Sequence, residues 1–459
     1  MEAYGRELRR LWELAIPLAA AQAGMQAMGV VDTAVVGRLG ATQLGAIGIA
    51  NALFFSISIF AAGVVMGIDP LAAQALGAGE PFRARRIMWQ GVWLSIFIGG
   101  VMSLPLALSP LLLRAFRIDQ AIIDTASAYL MIRIASLIPL LVFMVLRAYL
   151  QARLVTRPIV AAMVIGNVFN LAADILLVFG GSILPEWCGA LHRLPAMGIR
   201  GAAIASVLGS LLFVWVLARA IGRIPVESDG SPHRRIHGPE IRHAFRIGLP
   251  VGLHMGAEVA VFALVGVLAG TLGEVELAAH QVTLTLAAFT FTVAVGIGSA
   301  GSVRVGRAIG AGDREGTRRA GIVAFASGAA FMSLSALVFL TVPGWLALLI
   351  TDKPRVIAAA IPLLGIAALF QISDGIQGVG AGVLRGAGET RFTFVANILG
   401  HWLVGFPVAL FFGFYRKMGV VGLWWGLCAG LTVVAALLLA RFLVRSARGI
   451  KPIAPPITP

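Results

Sequence analysis

A run of about 20 mostly apolar residues is long enough to cross a bilayer as a helix, and this chain can be read as twelve of them in series. They fall near 11–36, 43–73, 88–113, 122–150, 158–180, 197–221, 244–270, 275–303, 318–350, 356–384, 392–414 and 418–443. No other feature restricts the fold so severely. In lipid every backbone amide must find its partner within the segment, which leaves the helix as the natural solution here. Charge cannot rescue a soluble reading. Only 12% of the 459 residues are charged while 59% are hydrophobic, against roughly 25% charged in ordinary soluble domains. A soluble enzyme and a disordered chain are excluded on that ground. With Cys188 and Cys428 as the sole cysteines, so are a disulfide scaffold and a cysteine-held metal cluster. The expected fold class is an all-α polytopic membrane protein. Several runs exceed 25 residues, so tilt is expected.

The net charge of +15 would suggest nucleic acid in a soluble protein, but here the placement of the basic residues is more informative. Arg6, Arg9 and Arg10 precede the first run. Alternate connections carry Arg83, Arg85 and Arg86, then Arg153 and Arg157, then six arginines between 219 and 246, then five between 304 and 319, then Arg385 and Arg391. The opposite connections hold fewer, such as Arg38, or Arg114 and Arg117. The positive-inside rule therefore predicts both termini in the cytoplasm, and so the inner membrane of the cell as the location. An even number of spans requires the termini to share a side. The first apolar run follows MEAYGRELRRLWE without an A-x-A-like boundary and is expected to be a retained span, not a cleaved signal.

The two halves of the chain resemble each other at an offset of 233. Leu39-Gly40 recurs as Leu272-Gly273, Gly77-Ala78-Gly79 as Gly310-Ala311-Gly312, Arg85-Arg86 as Arg318-Arg319, and Asp119 as Asp352. One residue further on, Thr156-Arg157 recurs as Thr390-Arg391. Six spans per half make this a parallel repeat about an axis along the membrane normal. The expected organisation is a six-helix lobe over 1–222, a cytoplasmic linker over 223–243, and a second six-helix lobe over 244–459 with a short tail. Two such lobes around a cleft suit alternating-access transport. No filter-like sequence suggests a channel. G-x-x-x-x-G-K-[ST] and H-E-x-x-H are both absent, so neither an ATP-driven pump nor a zinc protease is indicated, and any active transport would draw on an ion gradient.

Acids at membrane depth are costly, and each is a functional candidate. Asp32 lies in the first run, Asp174 in the fifth, Glu258 in the seventh and Asp374 in the tenth. Asn170 and Asp174 share one helix face. Asp174 sits ~25 Å beyond Arg157, and Asp32 is at least as far from Arg10, so the two acids belong to the same half of the bilayer and can meet. Carboxylates with a side-chain amide suit Na⁺, and two neighbouring carboxylates can hold a proton, because like charges buried together repel. The bland reading is a polar clamp between helices. Glu258 and Asp374 are each about 17 Å above Arg246 and Arg385 respectively, and equal depth lets them face one cavity. They suit an organic cation, a coupling ion or both in competition; a buried hydrogen-bonded pair is the bland reading. Asp69 before Pro70 reads as helix-end capping or a partner for loop arginines. Arg133 and Arg147 read as structural, snorkelling or pairing with an acid. His254, four residues before Glu258, shares its face, while His280 and His401 are also at membrane depth. Phe289, Phe291 and Phe370 suit cation–π contact, although among 25 phenylalanines packing is the ordinary role.

MGVVDTAVVGRLGA, LGAGEPFRARR, LGEVELAAHQV, SVRVGRAIGAGD and SDGIQGVGAGVLRGAGETR together resemble the multidrug and toxic compound extrusion (MATE) family over nearly the whole chain. The second lobe is similar to the NorM-like branch, whose acidic pair falls on Glu258 and Asp374. The resemblance implies aromatic neighbours at Phe291 and Phe370. It also implies a first-lobe site at Asp32, Asn170 and Asp174, which looks more like the archaeal and DinF-type arrangement. Ser206 in GAAIAS stands where a threonine is usual. The function implied is multidrug efflux by antiport of amphipathic organic cations against Na⁺ or H⁺, with the acids and Asn170 as possible Na⁺ ligands. No cofactor, catalytic residue, metal centre or nucleic acid is expected, and a monomer in the lipid bilayer is the expected working unit. A flippase for lipid-linked precursors is the alternative.

Overall fold

The structure is a computed structural model and describes residues 2–115, 120–225 and 234–453. Asp119, Arg117, linker residues 226–233 and tail residues 454–459 lie outside the described residues. All regular structure among the described residues is helical. Twelve helices are long and apolar enough to cross a membrane. They are α1 (Glu2–Gly37), α2 (Thr42–Gly77), α3 (Pro81–Leu111), α4 (Gln120–Ala152), α5 (Arg157–Phe179), α6 (Ile199–Gly222), α7 (Gly238–Leu272), α8 (Glu274–Gly310), α9 (Arg314–Thr341), α10 (Pro354–Gly386), α11 (Thr390–Tyr415) and α12 (Gly419–Arg448).

Each helix falls on one of the expected runs, with two notable differences in length. The ninth run was expected to reach residue 350, but α9 stops at Thr341 and a separate short helix spans Pro343–Leu348. Pro343 lacks an N–H and disfavours helical geometry at the residue before it. Val342 accordingly sits at φ −133°. Hydropathy does not register that break, because the apolar run continues through it. In the other direction, α1 begins at Glu2 rather than near residue 11. Its charged first turns remain helical outside the apolar stretch.

The repeat is visible in the turns. After α2, the N–H groups of Ala78, Gly79 and Glu80 bond to the carbonyls of Gln74, Leu76 and Ala75. After α8, those of Ala311, Gly312 and Asp313 bond to Arg307, Ile309 and Ala308. Gly79 and Gly312 both take the left-handed backbone, φ 79° and 71°. The turns after α4 and α10 correspond in the same way, with Leu154 at φ 62° where the second copy has Gly388 at φ 79°.

The chain forms two compact units. One comprises Ala23–Ile68 and Pro81–Phe245. Here α4 packs on α3 and α6, and α5 on α6. Gly166 makes room for Phe213, whose ring centroid lies 5.3 Å from that of Phe143. The other comprises α1 up to Gln22, Asp69–Glu80 and the chain from Arg246 onward. Its centre is α10, packed against α8, α9 and α12. A Cβ on Gly382 would collide with the backbone of Gly298, and one on Gly386 with that of Ser302. Small residues thus let the α8 and α10 backbones approach closely. Trp424 and Phe370 stack at 5.6 Å within the apolar core of this unit.

Candidate functional site

In the unit containing Ala23–Ile68 and Pro81–Phe245, four sequence-derived candidates are buried. Asp32 on α1 and Asp174 on α5 have no exposed surface, and Asn170 and Ser206 are each 1% exposed. The Asp174 and Asp32 carboxyl groups are near enough to interact electrostatically. Asn170 stands one helical turn before Asp174, and neither its amide oxygen nor its amide nitrogen has a hydrogen-bond partner. Both carboxylate oxygens of Asp174 and Oδ1 of Asp32 are unpartnered as well. Buried polar atoms without partners are rare because each forfeits its hydration. Their concentration around two carboxyl groups marks this as a site.

Its cationic member was left structural by the sequence, with pairing to an acid as one of two options. Arg133, where α4 passes into a 3-10 turn at Ile134–Ser136, has Nη1 3.3 Å from Asp32 Oδ2. The same nitrogen donates to Ser206 Oγ at 2.7 Å and to Tyr129 OH at 2.6 Å. Ser206 Oγ donates in turn to Asp32 Oδ2 at 2.9 Å, and Tyr129 OH donates to Asn51 Oδ1 at 3.2 Å. The guanidinium also lies 4.8 Å from the centroid of the Phe54 ring. Tyr129 and Asn51 were missed entirely. Tyr129 had one available signal, a hydroxyl four residues before a membrane-depth arginine on the same face.

The second acid pair lies in the other unit. Glu258 on α7 accepts from Gln377 Nε2 at 3.1 Å and lies 3.4 Å from His254 Nε2. His254 Nδ1 is 3.3 Å from the Thr393 carbonyl. Asp374 on α10 is 7% exposed and lies within electrostatic range of Glu258. Gln377, three residues on from Asp374, is therefore on its face, and its Oε1 is buried without a partner. Phe291 packs over Gly378, where a Cβ would come 2.7 Å from its ring. Phe370 is 2% exposed and belongs to the core stack with Trp424. Phe289 points away from the interior, 70% exposed. Asn397 and His401 on α11 are buried with unpartnered polar atoms and were not in the candidate set, apart from the depth of His401. A π-helical segment, Ile398–Gly405, follows Asn397 and contains His401, a distortion frequent at functional sites. Asp69 lies 3.1 Å from Arg385, the arginine pairing expected of it.

Among the described residues no group of three or more His, Cys, Asp or Glu side chains is arranged to hold a metal ion. A monovalent cation at either acid pair would draw on two carboxylates together with amide or hydroxyl oxygens.

The MatE family model matches residues 17–176 and again 250–411. The two matches begin 233 residues apart, the offset of the internal repeat. The chain is 35% identical over 444 residues to a probable multidrug resistance protein NorM of Rhizobium meliloti (strain 1021), covering 94% of this chain and 91% of that one. It is 37% identical to the multidrug resistance protein NorM of Burkholderia vietnamiensis, covering 94% and 92%. Among solved structures, a eukaryotic MATE transporter, AtDTX14, superposes with TM-score 0.83 at 23% identity, covering 97% of this chain and 98% of that one. A transporter of the MOP superfamily from Pyrococcus furiosus superposes with TM-score 0.83 at 19% identity over 96% of each. At those identities the structural likeness speaks for the fold.

Proposed function

This chain belongs to the MatE family, and from that premise we propose that it is a secondary active exporter that moves amphipathic organic cations out of the cell in exchange for Na⁺ or H⁺. The arginine bias supports an inner-membrane location with both termini in the cytoplasm. The two six-helix lobes, 1–222 and 244–459 around the linker 223–243, alternate access as a monomer. The names of the curated relatives support drugs as the substrate class.

One observation carries the reading: two carboxyl groups, Asp32 and Asp174, lie side by side out of solvent beside an unpartnered Asn170 amide. With both acids ionised, Arg133 cancels one charge and leaves one. A single Na⁺ or proton cancels the remainder. The coupling site is therefore assigned to Asp32, Asn170, Asp174 and Ser206. Glu258 accepts from the Gln377 amide and stands beside the His254 imidazole, with Asp374 near it, an acidic pair suited to an organic cation. Glu258 and Asp374 anchor the substrate, with Phe291 as the neighbouring aromatic.

The test is dye accumulation in cells stripped of their own drug exporters. Wild type should keep ethidium out. At equal membrane abundance, Asp32→Asn and Asp374→Asn should each slow export by about tenfold or more. Export retained in both variants would contradict the proposal. Wild type that exports no dye but translocates lipid-linked precursors would establish the flippase instead.

A further inference from the structure

Away from both acid pairs, the unit containing α8 to α12 holds a cavity of about 320 Å³ with five arginines in its wall. Arg6 and Arg10 enter from α1, Arg304 and Arg307 from α8, and Arg319 from α9. Each pair is spaced three or four residues apart on its helix and so presents one face. The lining contains two acids, Glu7 and Asp313, and both are committed. Glu7 accepts from Arg304 Nε at 2.7 Å and Nη2 at 2.6 Å. Asp313 caps α9 by accepting the Gly316 N–H at 2.7 Å. Within the lining five guanidinium groups stand against two carboxylates, and Arg319 has a further acid, Glu315, at 4.0 Å, so the concavity keeps a net positive charge.

The floor of this cavity is built closely. A Cβ on Gly77 would collide with the Arg307 carbonyl, and one on Gly310 with that of Gln74. The last turns of α2 and α8 are thereby held backbone to backbone. The doubly bonded Glu7–Arg304 pair fixes α1 against α8 in the same way. Like charges held so near each other repel, and an anion of matching shape relieves that repulsion. The planar guanidinium fork matches phosphate oxygens. Tyr4 and Leu8 on α1 are 48% and 44% exposed, and they add apolar surface along the same helix. Basic pockets at the ends of membrane helices are suited to phospholipid head groups.

We propose that this cavity binds a phosphate group, supplied either by an anionic phospholipid head group or by free phosphate. The inference is independent of the transport reading, and its test requires no transport.

The full-length protein in uncharged detergent would be melted with short-chain phosphatidylglycerol, with phosphatidylcholine of equal chain length, or with inorganic phosphate. A saturable rise in melting temperature with phosphatidylglycerol but not phosphatidylcholine is expected. In Arg6→Gln/Arg10→Gln the half-saturating concentration should rise by about tenfold, since two charges are lost. Both positions are exposed, so the packing is spared; Arg319→Gln is a second variant expected to weaken the same response. A rise with inorganic phosphate as well would support the site and show that the phosphate group suffices. A rise with phosphatidylglycerol alone would assign it to lipid. No rise with either anion, or a rise unchanged in every variant, would overturn the proposal.

Discussion

A guanidinium taken out of water needs a charge partner and enough acceptors to offset its lost hydration. Arg133 meets part of that need through Nη1, with Asp32, Ser206 and Tyr129, while its buried Nε has no partner. Removing one member of such a pair strands the other, at a typical cost of about 3–5 kcal/mol, whereas removing both is far milder. Arg133→Gln and Asp32→Asn should therefore each lower the melting temperature of the purified protein, and the double variant should recover part of the loss. Additive losses would show that the pair is not coupled. The candidate acids were legible because a carboxylate inside an apolar run stands out, and because Asn170 and Asp174 fall one turn apart. Arg133 was visible as a residue but not as a member of the site, since helix spacing relates residues within α4 and says nothing of which helix faces it. Asn51 carried no signal, being one polar residue among many in glycine-rich helices.

At the scale of helices and turns, the repeat makes its own prediction. Leu154 adopts φ 62° where its counterpart is Gly388. Left-handed backbone costs an L-residue with a Cβ about 1–2 kcal/mol, partly offset by the extra unfolded-state entropy of glycine. Leu154→Gly should thus leave stability unchanged or raise it by up to about 1 kcal/mol. Gly388→Leu should lower it, because its Cβ would also press on Ile453 at 2.8 Å. Melting curves of the two variants decide this, and the opposite signs would contradict it. Helix existence was readable throughout from apolar runs, while helix ends were not. The break at Pro343 hides in a continuous apolar stretch, and α1 extends through charged residues that hydropathy discards. The π-helical segment of α11 leaves no trace in hydropathy, because the distortion shifts backbone bonding without changing which residues are apolar.

For the whole molecule, the 233-residue offset seen in scattered glycines and arginines is also the spacing of the two family matches. The twelve helices and their helical class follow from the sequence because lipid leaves few alternatives to a helix. In the proposed function, the coupling of transport to an ion rests on the assembled acid pairs. The direct measurement is efflux of a fluorescent organic cation from proteoliposomes under an imposed Na⁺ gradient or an imposed pH gradient, with wild type beside Asp32→Asn, Asp174→Asn and Asp374→Asn. The account predicts uphill export driven by one of the two gradients, abolished in the Asp32 and Asp174 variants. Flux that only runs downhill, or that ignores both gradients and all three substitutions, would contradict it.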